Sequence, residues 1–188
     1  MAQHGWTIDL SLCVGCHACA VACKAENNTE PQTAPLKVRN GRATAVNYRR
    51  VLYDWAGKYP SQTLTFVTMS CNHCDEPACL KSCPVEAISK RDDDGIVLID
   101  YDKCIGCKYC MWACPYGAPQ FNESTLKVEK CTFCVHRIDA GLKPACVSTC
   151  AGRALNFVTA FDMDQSGDGA PPGFADPDHT RPSVLFTE

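Results

Sequence analysis

Residues 8–24 read IDLSLCVGCHACAVACK, and residues 99–115 repeat the pattern as IDYDKCIGCKYCMWACP, with 8 of 17 positions identical. A second pattern also occurs twice, as PACLKSCPVEAI from Pro77 and as PACVSTCAGRAL from Pro144. Two kinds of half-motif are therefore each present twice. They contain most of the 16 cysteines of this chain of 188 residues. The spacing of these cysteines is the strongest signal of the fold.

The cysteines fall into four groups of four along the chain, and none is left over. The groups are Cys13, Cys16, Cys19 and Cys23; Cys71, Cys74, Cys79 and Cys83; Cys104, Cys107, Cys110 and Cys114; and Cys131, Cys134, Cys146 and Cys150.

Three chemistries explain cysteine at this frequency: disulfides, zinc sites and iron–sulfur clusters. Disulfides would require secretion and dispersed partners. Here the cysteines are clustered in triplets, and the first residues show no cleavable signal sequence. Zinc sites use pairs of thiolates separated by a spacer, and the fourth group, taken by itself, could form such a site. In C-x2-C-x2-C, by contrast, three thiolates of one loop bind three irons of a cubane. The spacing therefore favours iron–sulfur clusters.

The fourth cysteine of such a group follows three residues later, often before a proline, and binds a second cluster. Pro84 and Pro115 stand in that position here. If the last cysteine of each group binds the cluster held by three cysteines of its partner group, the sequence predicts four [4Fe-4S] clusters with crossed ligation. Their ligands are set 1, Cys13, Cys16, Cys19 and Cys150; set 2, Cys23, Cys131, Cys134 and Cys146; set 3, Cys71, Cys74, Cys79 and Cys114; and set 4, Cys83, Cys104, Cys107 and Cys110.

The predicted fold is α+β and consists of two ferredoxin-like units, one inserted in the other. Residues 71–115 contain one half-motif of each kind, separated by a predicted β-hairpin that pairs residues 87–90 with 96–99 across an acidic turn. The two remaining half-motifs lie at opposite ends of this stretch. We expect a split unit from 1–60 and 125–160, an inserted unit at 61–124, and a tail at 161–188.

The cysteine-free stretch 24–70 is predicted to add β-hairpin and loop insertions. Asn40-Gly41 is a hairpin-turn signal, and residues 63–68 favour a strand. We expect a scaffold that covers the split unit; the alternative is a docking surface for a partner subunit. From Asp162 the tail is rich in Asp, Gly and Pro, which predicts an exposed, extended segment. Its apolar end at 183–186 is expected to dock on this chain or on a neighbour.

Composition and motifs argue against most other functions. Lys and Arg number 18 against 21 Asp and Glu, so no basic surplus indicates nucleic-acid binding. The sequence contains no run of 18 or more apolar residues, so it predicts no membrane-spanning helix. No phosphate-binding loop, GxGxxG or HExxH is present, and every cysteine is used as a ligand. His17 and His73 lie inside cluster loops and are expected to pack there; the alternative is that they tune a cluster's potential by charge or hydrogen bonding. We therefore expect a chain that carries electrons and is not an enzyme by itself.

Cluster ligation would bury negative charge, which nearby cations must balance. Eight lysines and arginines lie within a few residues of the cysteines, although a solvated surface charge is the more common role for any one of them. They are Lys24, Lys81, Lys103, Lys108, Lys130, Arg137, Lys143 and Arg153.

The segments SCNHCDEPAC, CIGCKYCMWACPYGAPQFNE and KCTFCVHRIDAGLKPAC resemble the electron-transfer subunit of dimethyl sulfoxide reductase-type complexes. Polysulfide, thiosulfate, tetrathionate and arsenate reductases have similar subunits, and the resemblance covers about residues 5–160. It implies two partners: a catalytic subunit with a molybdenum or tungsten bis-pterin-guanine-dinucleotide (bis-PGD) centre, and an integral membrane anchor that handles quinone or haem. It also implies that the cluster of set 1 faces the catalytic subunit and that of set 4 faces the anchor.

Two positions differ within that family. Cys107 stands where nitrate-reductase-like members have Trp and a three-iron cluster, so four four-iron clusters are expected. Ala151 stands where proline commonly follows the last cysteine. The resemblance further implies a peripheral subunit on the cytoplasmic membrane, with the periplasmic face favoured through co-export with a partner and the cytoplasmic face as the alternative. The competing function is a freestanding polyferredoxin, or a small electron-transfer subunit of a hydrogenase or formate-hydrogenlyase complex.

Overall fold

The computed structural model describes residues 2–30, 38–39, 42–43 and 46–188, with the backbone alone at 38–39 and 42–43. The described helices are α1 (Ala18–Glu26), α2 (Ala78–Lys81), α3 (Tyr109–Ala113), α4 (Val135–Ile138) and α5 (Ala145–Ser148). The strands are β1 (Gly5–Asp9), β2 (Val38–Arg39), β3 (Arg42–Ala43), β4 (Arg50–Ala56), β5 (Thr63–Met69), β6 (Ile88–Lys90), β7 (Val97–Ile99), β8 (Gln120–Asn122), β9 (Lys127–Glu129), β10 (Leu155–Val158) and β11 (Val184–Thr187).

The strands form one three-stranded sheet and several hairpins. β1 is the central strand of the sheet β10-β1-β11, antiparallel to β10 and parallel to β11. Trp6 and Ile8 of β1 face inward and are buried, as are Val184 and Phe186 of β11. The apolar end of the tail therefore docks on this chain. Before it, the tail contains two short 3-10 helices, Met163–Gln165 and Pro177–His179.

Two predicted strand regions are confirmed. The stretch with β-propensity forms β5, which pairs with β4 from Arg50↔Met69 to Ala56↔Thr63. The hairpin predicted around the acidic turn is β6–β7, in which Ile88 pairs with Ile99. Asp94 in that turn accepts a hydrogen bond from the Ile96 amide at 3.0 Å. The turn predicted at Asn40-Gly41 lies outside the described residues, although β2 and β3 on either side pair antiparallel.

The helices are short and follow the cysteine motifs. α1 packs against α5, and α2 packs against α3. Pro77 and Pro144 precede α2 and α5 at equivalent places in the second repeat. Helices of four to nine residues are too short to be stable alone in water, so packing around the cysteines must hold them.

The core contains the cysteines as well as apolar side chains. The larger buried cluster includes Trp6, Ile8, Ile96 and Phe133, and a smaller one is built around Ile88, Val97 and Val128. Nine of the cysteines are themselves buried. In the described part of the chain, no helix has both the length and the hydropathy needed to cross a membrane.

Candidate cluster sites

Three cavities are each lined by one predicted set of four cysteines. Each of these cavities is partly open to solvent. The other lining residues are largely apolar, such as Leu155 at set 1, Val97 at set 3 and Val128 at set 4.

The cysteines of set 2 also lie together, in the interior. Burial raises the pKa of Cys23 to about 12, and the charges of Cys146 and Cys134 add to that effect. Burial likewise raises the pKa of Cys131 well above its ordinary value, with Cys23 and Cys146 among the contributing neighbours. The structure thus gathers all members of sets 1, 3 and 4 around cavities and places Cys23, Cys131 and Cys146 of set 2 in one buried cluster.

The spaces between these cysteines fit a group larger than one ion. Zinc holds four sulfurs at about 2.3 Å, but among the described residues no three Cys, His, Asp or Glu side chains could hold a single metal ion. A cubane binds each thiolate to a different iron, so its ligands stand further apart. Among the described residues, four thiols that line one cavity without forming a single-ion site therefore fit a [4Fe-4S] cluster.

The thiols are strongly desolvated by the surrounding protein. Burial raises the pKa of Cys74 and of Cys79 to about 12 and that of Cys110 to about 11. Iron binds the thiolate, so ligation must displace these protons and bring negative charge into the interior.

Backbone amides partly balance that charge. The amides of Ala87, Phe133 and Leu155 donate to the sulfurs of Cys83, Cys131 and Cys150 at 3.3, 3.4 and 3.4 Å. Ala87 and Leu155 follow the last cysteine of groups two and four by four and five residues, so a backbone amide just after the second half-motif donates to that cysteine in both copies.

The triplet loops of groups one and three have the same backbone shape. Gly15 and Gly106, at equivalent positions of the repeat, have φ of +66° and +70°. A Cβ on Gly15 would lie 2.4 Å from the Phe66 ring, and one on Gly106 would lie 2.3 Å from the Leu126 carbonyl oxygen. Each loop therefore lies tightly against a hairpin, β4–β5 or β8–β9.

The residue after the second cysteine of each loop contacts an aromatic ring of that hairpin. His17 Nε2 lies 2.5 Å from the Tyr53 hydroxyl oxygen, and Lys108 Nζ lies 3.8 Å from the centroid of the Phe121 ring. These contacts confirm that His17 packs in its loop. They also show that the cysteine-free stretch covers the first triplet loop.

His73, in the second cluster loop, is fully buried. Its Nδ1 accepts a hydrogen bond from the Val97 amide at 3.0 Å, and its ring meets Phe133 edge-on. Burial first, and then the charges of Lys130 and Arg49, lower the pKa of His73 well below its ordinary value. The packing role predicted for this histidine is confirmed.

The predicted cations differ sharply in burial. Lys81 and Lys103 are exposed, and Lys24 is half-buried with its Nζ on the carbonyl oxygens of Glu30 and Val46. Of the eight named in the sequence, Lys130 alone is buried. Sequence reasoning missed a second buried cation, Arg49, because nothing in its sequence context distinguishes it from Arg50.

Residues 62–160 match the family model of the 4Fe-4S dicluster domain. The chain is 45% identical over 173 residues to the B subunit of sulfite dehydrogenase from Allochromatium vinosum, an alignment that covers 87% of this chain and 72% of that protein. It is 42% identical over 164 residues to the B subunit of anaerobic dimethyl sulfoxide reductase from Escherichia coli, covering 82% and 73%. It is 46% identical over 154 residues to the B subunit of tetrathionate reductase from Salmonella typhimurium, covering 81% and 56%.

These three relatives are B subunits, two of them from reductases and one from a dehydrogenase. Their alignments cover most of the chain. The matched domain contains the cysteines of groups two, three and four. The chain therefore belongs to the family of iron–sulfur electron-transfer B subunits of dimethyl sulfoxide reductase-type complexes, and is not itself the catalytic subunit.

Proposed function

We propose that the chain carries four [4Fe-4S] clusters, bound by sets 1 to 4, and relays electrons between a membrane anchor subunit and a molybdenum or tungsten bis-PGD catalytic subunit. The anchor would handle quinone or haem. The observation that carries the proposal is the convergence of the cysteines of each predicted set, three of the sets around a cavity of their own. When bound, each cubane can take up and release one electron.

The order of the sets supports a relay. Cys19 of set 1 and Cys23 of set 2 are both buried residues of α1. Cys71 of set 3 lies in the larger buried cluster with Cys131 and Cys146 of set 2, and Cys79 of set 3 lies in the smaller one with Cys104 and Cys110 of set 4. Sets 1, 2, 3 and 4 therefore follow one another as neighbours, as a chain of electron carriers requires.

The packing of the half-motifs supports the split arrangement, with 1–60 and 125–160 as one unit and 61–124 inserted. α1 and α5 come from opposite ends of the chain and pack together, whereas α2 and α3 pack within the inserted unit. β1 and β10 also join the two ends in one sheet. Residues 161–188 are then a tail, of which β11 closes the edge of that sheet.

Exposed apolar side chains lie beside the two outer sets and support docking at both ends. Leu12 and Val14 are exposed next to Cys13 of set 1. Ile105, Tyr109 and Trp112 are exposed around Cys107 and Cys110 of set 4, with Trp112 at 77% exposure. Such apolar surface commonly marks a protein interface. We assign the first face to the catalytic subunit and the second to the anchor, with the subunit peripheral on the cytoplasmic membrane, on its periplasmic face.

Native purification under anaerobic conditions in mild detergent tests this function. We expect a large molybdenum or tungsten subunit and an integral membrane subunit to copurify, and metal analysis of the isolated chain to give about 16 iron and 16 acid-labile sulfide. A stable monomer without partners would instead indicate a freestanding polyferredoxin. About four zinc without sulfide would refute the cluster assignment.

A further inference from the structure

Two buried cations have no acidic partner. Arg49 and Lys130 are each 1% exposed, and among the described residues no carboxylate forms an ion pair with either. Arg49 donates to the hydroxyl oxygens of Thr68 at 3.2 Å and Ser70 at 2.7 Å. Its Nε has no hydrogen-bond partner among the described residues. Lys130 Nζ donates to the carbonyl oxygens of Val97 and Cys131.

A buried charge without a counter-charge is strongly unfavourable. Neutral hydroxyl and carbonyl oxygens satisfy hydrogen bonds but do not neutralise a cation. The described residues provide no carboxylate for this purpose, so the missing negative charge must come from elsewhere. The thiolate sets are the nearest candidates.

Arg49 lies between sets 1 and 2. Thr68 Oγ1, which accepts from Arg49, is 3.4 Å from the Cys19 sulfur of set 1. On the side of set 2, the Trp6 ring that Arg49 contacts stacks at 3.9 Å on the Phe133 ring, and Phe133 stands between Cys131 and Cys134 in the sequence. The guanidinium also stacks 4.5 Å from the centroid of the Trp6 ring, which fixes its position.

Lys130 lies between sets 2 and 3. It directly precedes Cys131 of set 2 and bonds that residue's carbonyl oxygen at 3.0 Å. Its Nζ also donates to the carbonyl oxygen of Val97, and Val97 lines the cavity at set 3. Set 2 is therefore flanked by a buried cation on each side.

We propose that Arg49 and Lys130 are positioning residues that balance the charge of the clusters and hold their reduction potentials up, above all that of the cluster at set 2. Reduction adds one negative charge to a cluster, and a nearby cation stabilises the reduced form more than the oxidised form. In a buried site this interaction is weakly screened, unlike that of an exposed lysine. The inference rests on the four-cluster function proposed above.

Anaerobic redox titration of the intact complex, followed by electron paramagnetic resonance, tests the proposal. We expect Arg49→Gln to lower the reduction equilibrium constant of the set 2 cluster at least tenfold, a negative shift of about 59 mV or more for a one-electron couple. Arg49→Lys, which keeps the charge, should retain most of the wild-type potential. Lys130→Met should shift the clusters at sets 2 and 3 in the same direction.

Lys81→Met is the matched control, because Lys81 is two residues from Cys79 but exposed and paired with Glu76. We expect no shift from it. If Arg49→Gln loses iron, the reduction potentials of the Lys130→Met and Arg49→Lys variants test the inference without it. Unchanged potentials in fully loaded variants would leave Arg49 and Lys130 with a structural role only and overturn the inference. A wild-type protein without four cluster signals would instead refute the function on which it rests.

Discussion

Gly106 shows how closely the triplet loops are packed. Its backbone is left-handed, with φ of +70°, and a Cβ at this position would lie only 2.3 Å from the Leu126 carbonyl oxygen. Gly106→Ala should therefore lower the stability of the holoprotein by more than the roughly 1–2 kcal/mol expected from left-handed strain alone. Thermal unfolding under anaerobic conditions measures the change.

Gly141→Ala is the control for that substitution. Gly141 has a similar φ of +72°, but nothing lies within 4 Å of the place its Cβ would occupy. It should show the backbone strain without the steric clash. An equal loss of stability in the two variants would mean that the Leu126 carbonyl moves freely and that the loop is not tightly packed.

Cys107 is the residue at which related subunits would differ in cluster type. Cys107→Ser removes one of four thiolates around the cavity at set 4. We expect a three-iron cluster there, visible as a new electron paramagnetic resonance signal in the oxidised protein, and slower electron exchange with quinone. Cys16→Ser, at the equivalent position of the repeat, should alter set 1 and leave set 4 intact. If both variants change the same signal, the assignment to sets is wrong.

Cysteine spacing was informative at the scale of single residues because ligand geometry constrains it directly. The predicted sets converge in the structure, and His17 and His73 pack in their loops as expected. Arg49 could not be predicted, since its burial depends on where the β4–β5 hairpin lies against groups one and four. Lys130 was among the predicted cations, but only tertiary structure separates it from the exposed ones.

β11 is the element through which the tail stabilises the sheet. Phe186 is buried against the core, so Phe186→Ala should cost about 3–5 kcal/mol, as for other large aromatic side chains removed from a core. The exposed neighbour Thr187 provides the control, and Thr187→Ala should cost less than about 0.5 kcal/mol. Thermal unfolding measures both, and similar losses would show that the tail is not part of the core.

Local sequence predicted the β6–β7 hairpin and the strand β5, but neither the β8–β9 hairpin nor the three-stranded sheet. Turn residues and β-propensity act over a few positions, which is enough for β5 and for β6–β7. The parallel pairing of β1 with β11 joins residues at opposite ends of the chain, such as Trp6 and Val184. No local signal encodes such a pairing, so the sequence left open whether the tail docks on this chain or on a neighbour.

At the scale of the whole molecule, the internal repeat was the main source of prediction. Under the proposed crossed ligation, each half-motif lacks a complete ligand set and must combine with another. The structure places the half-motifs from residues 13–23 and 146–150 side by side through α1 and α5. It also brings cysteines of sets 1, 2 and 3 into one buried cluster, which spacing alone does not reveal.

The crossed ligation makes a prediction that depends on the whole arrangement. Cys13 and Cys150 are far apart in sequence yet line one cavity. Cys13→Ser and Cys150→Ser should therefore perturb the same cluster signal in electron paramagnetic resonance of the reduced complex. Cys146→Ser should perturb a different one, although Cys146 is only four residues from Cys150, because Cys146 does not line the cavity that Cys13 and Cys150 share. If Cys146 and Cys150 instead share a signal that Cys13→Ser leaves intact, group four binds a cluster by itself and the two units are not crossed.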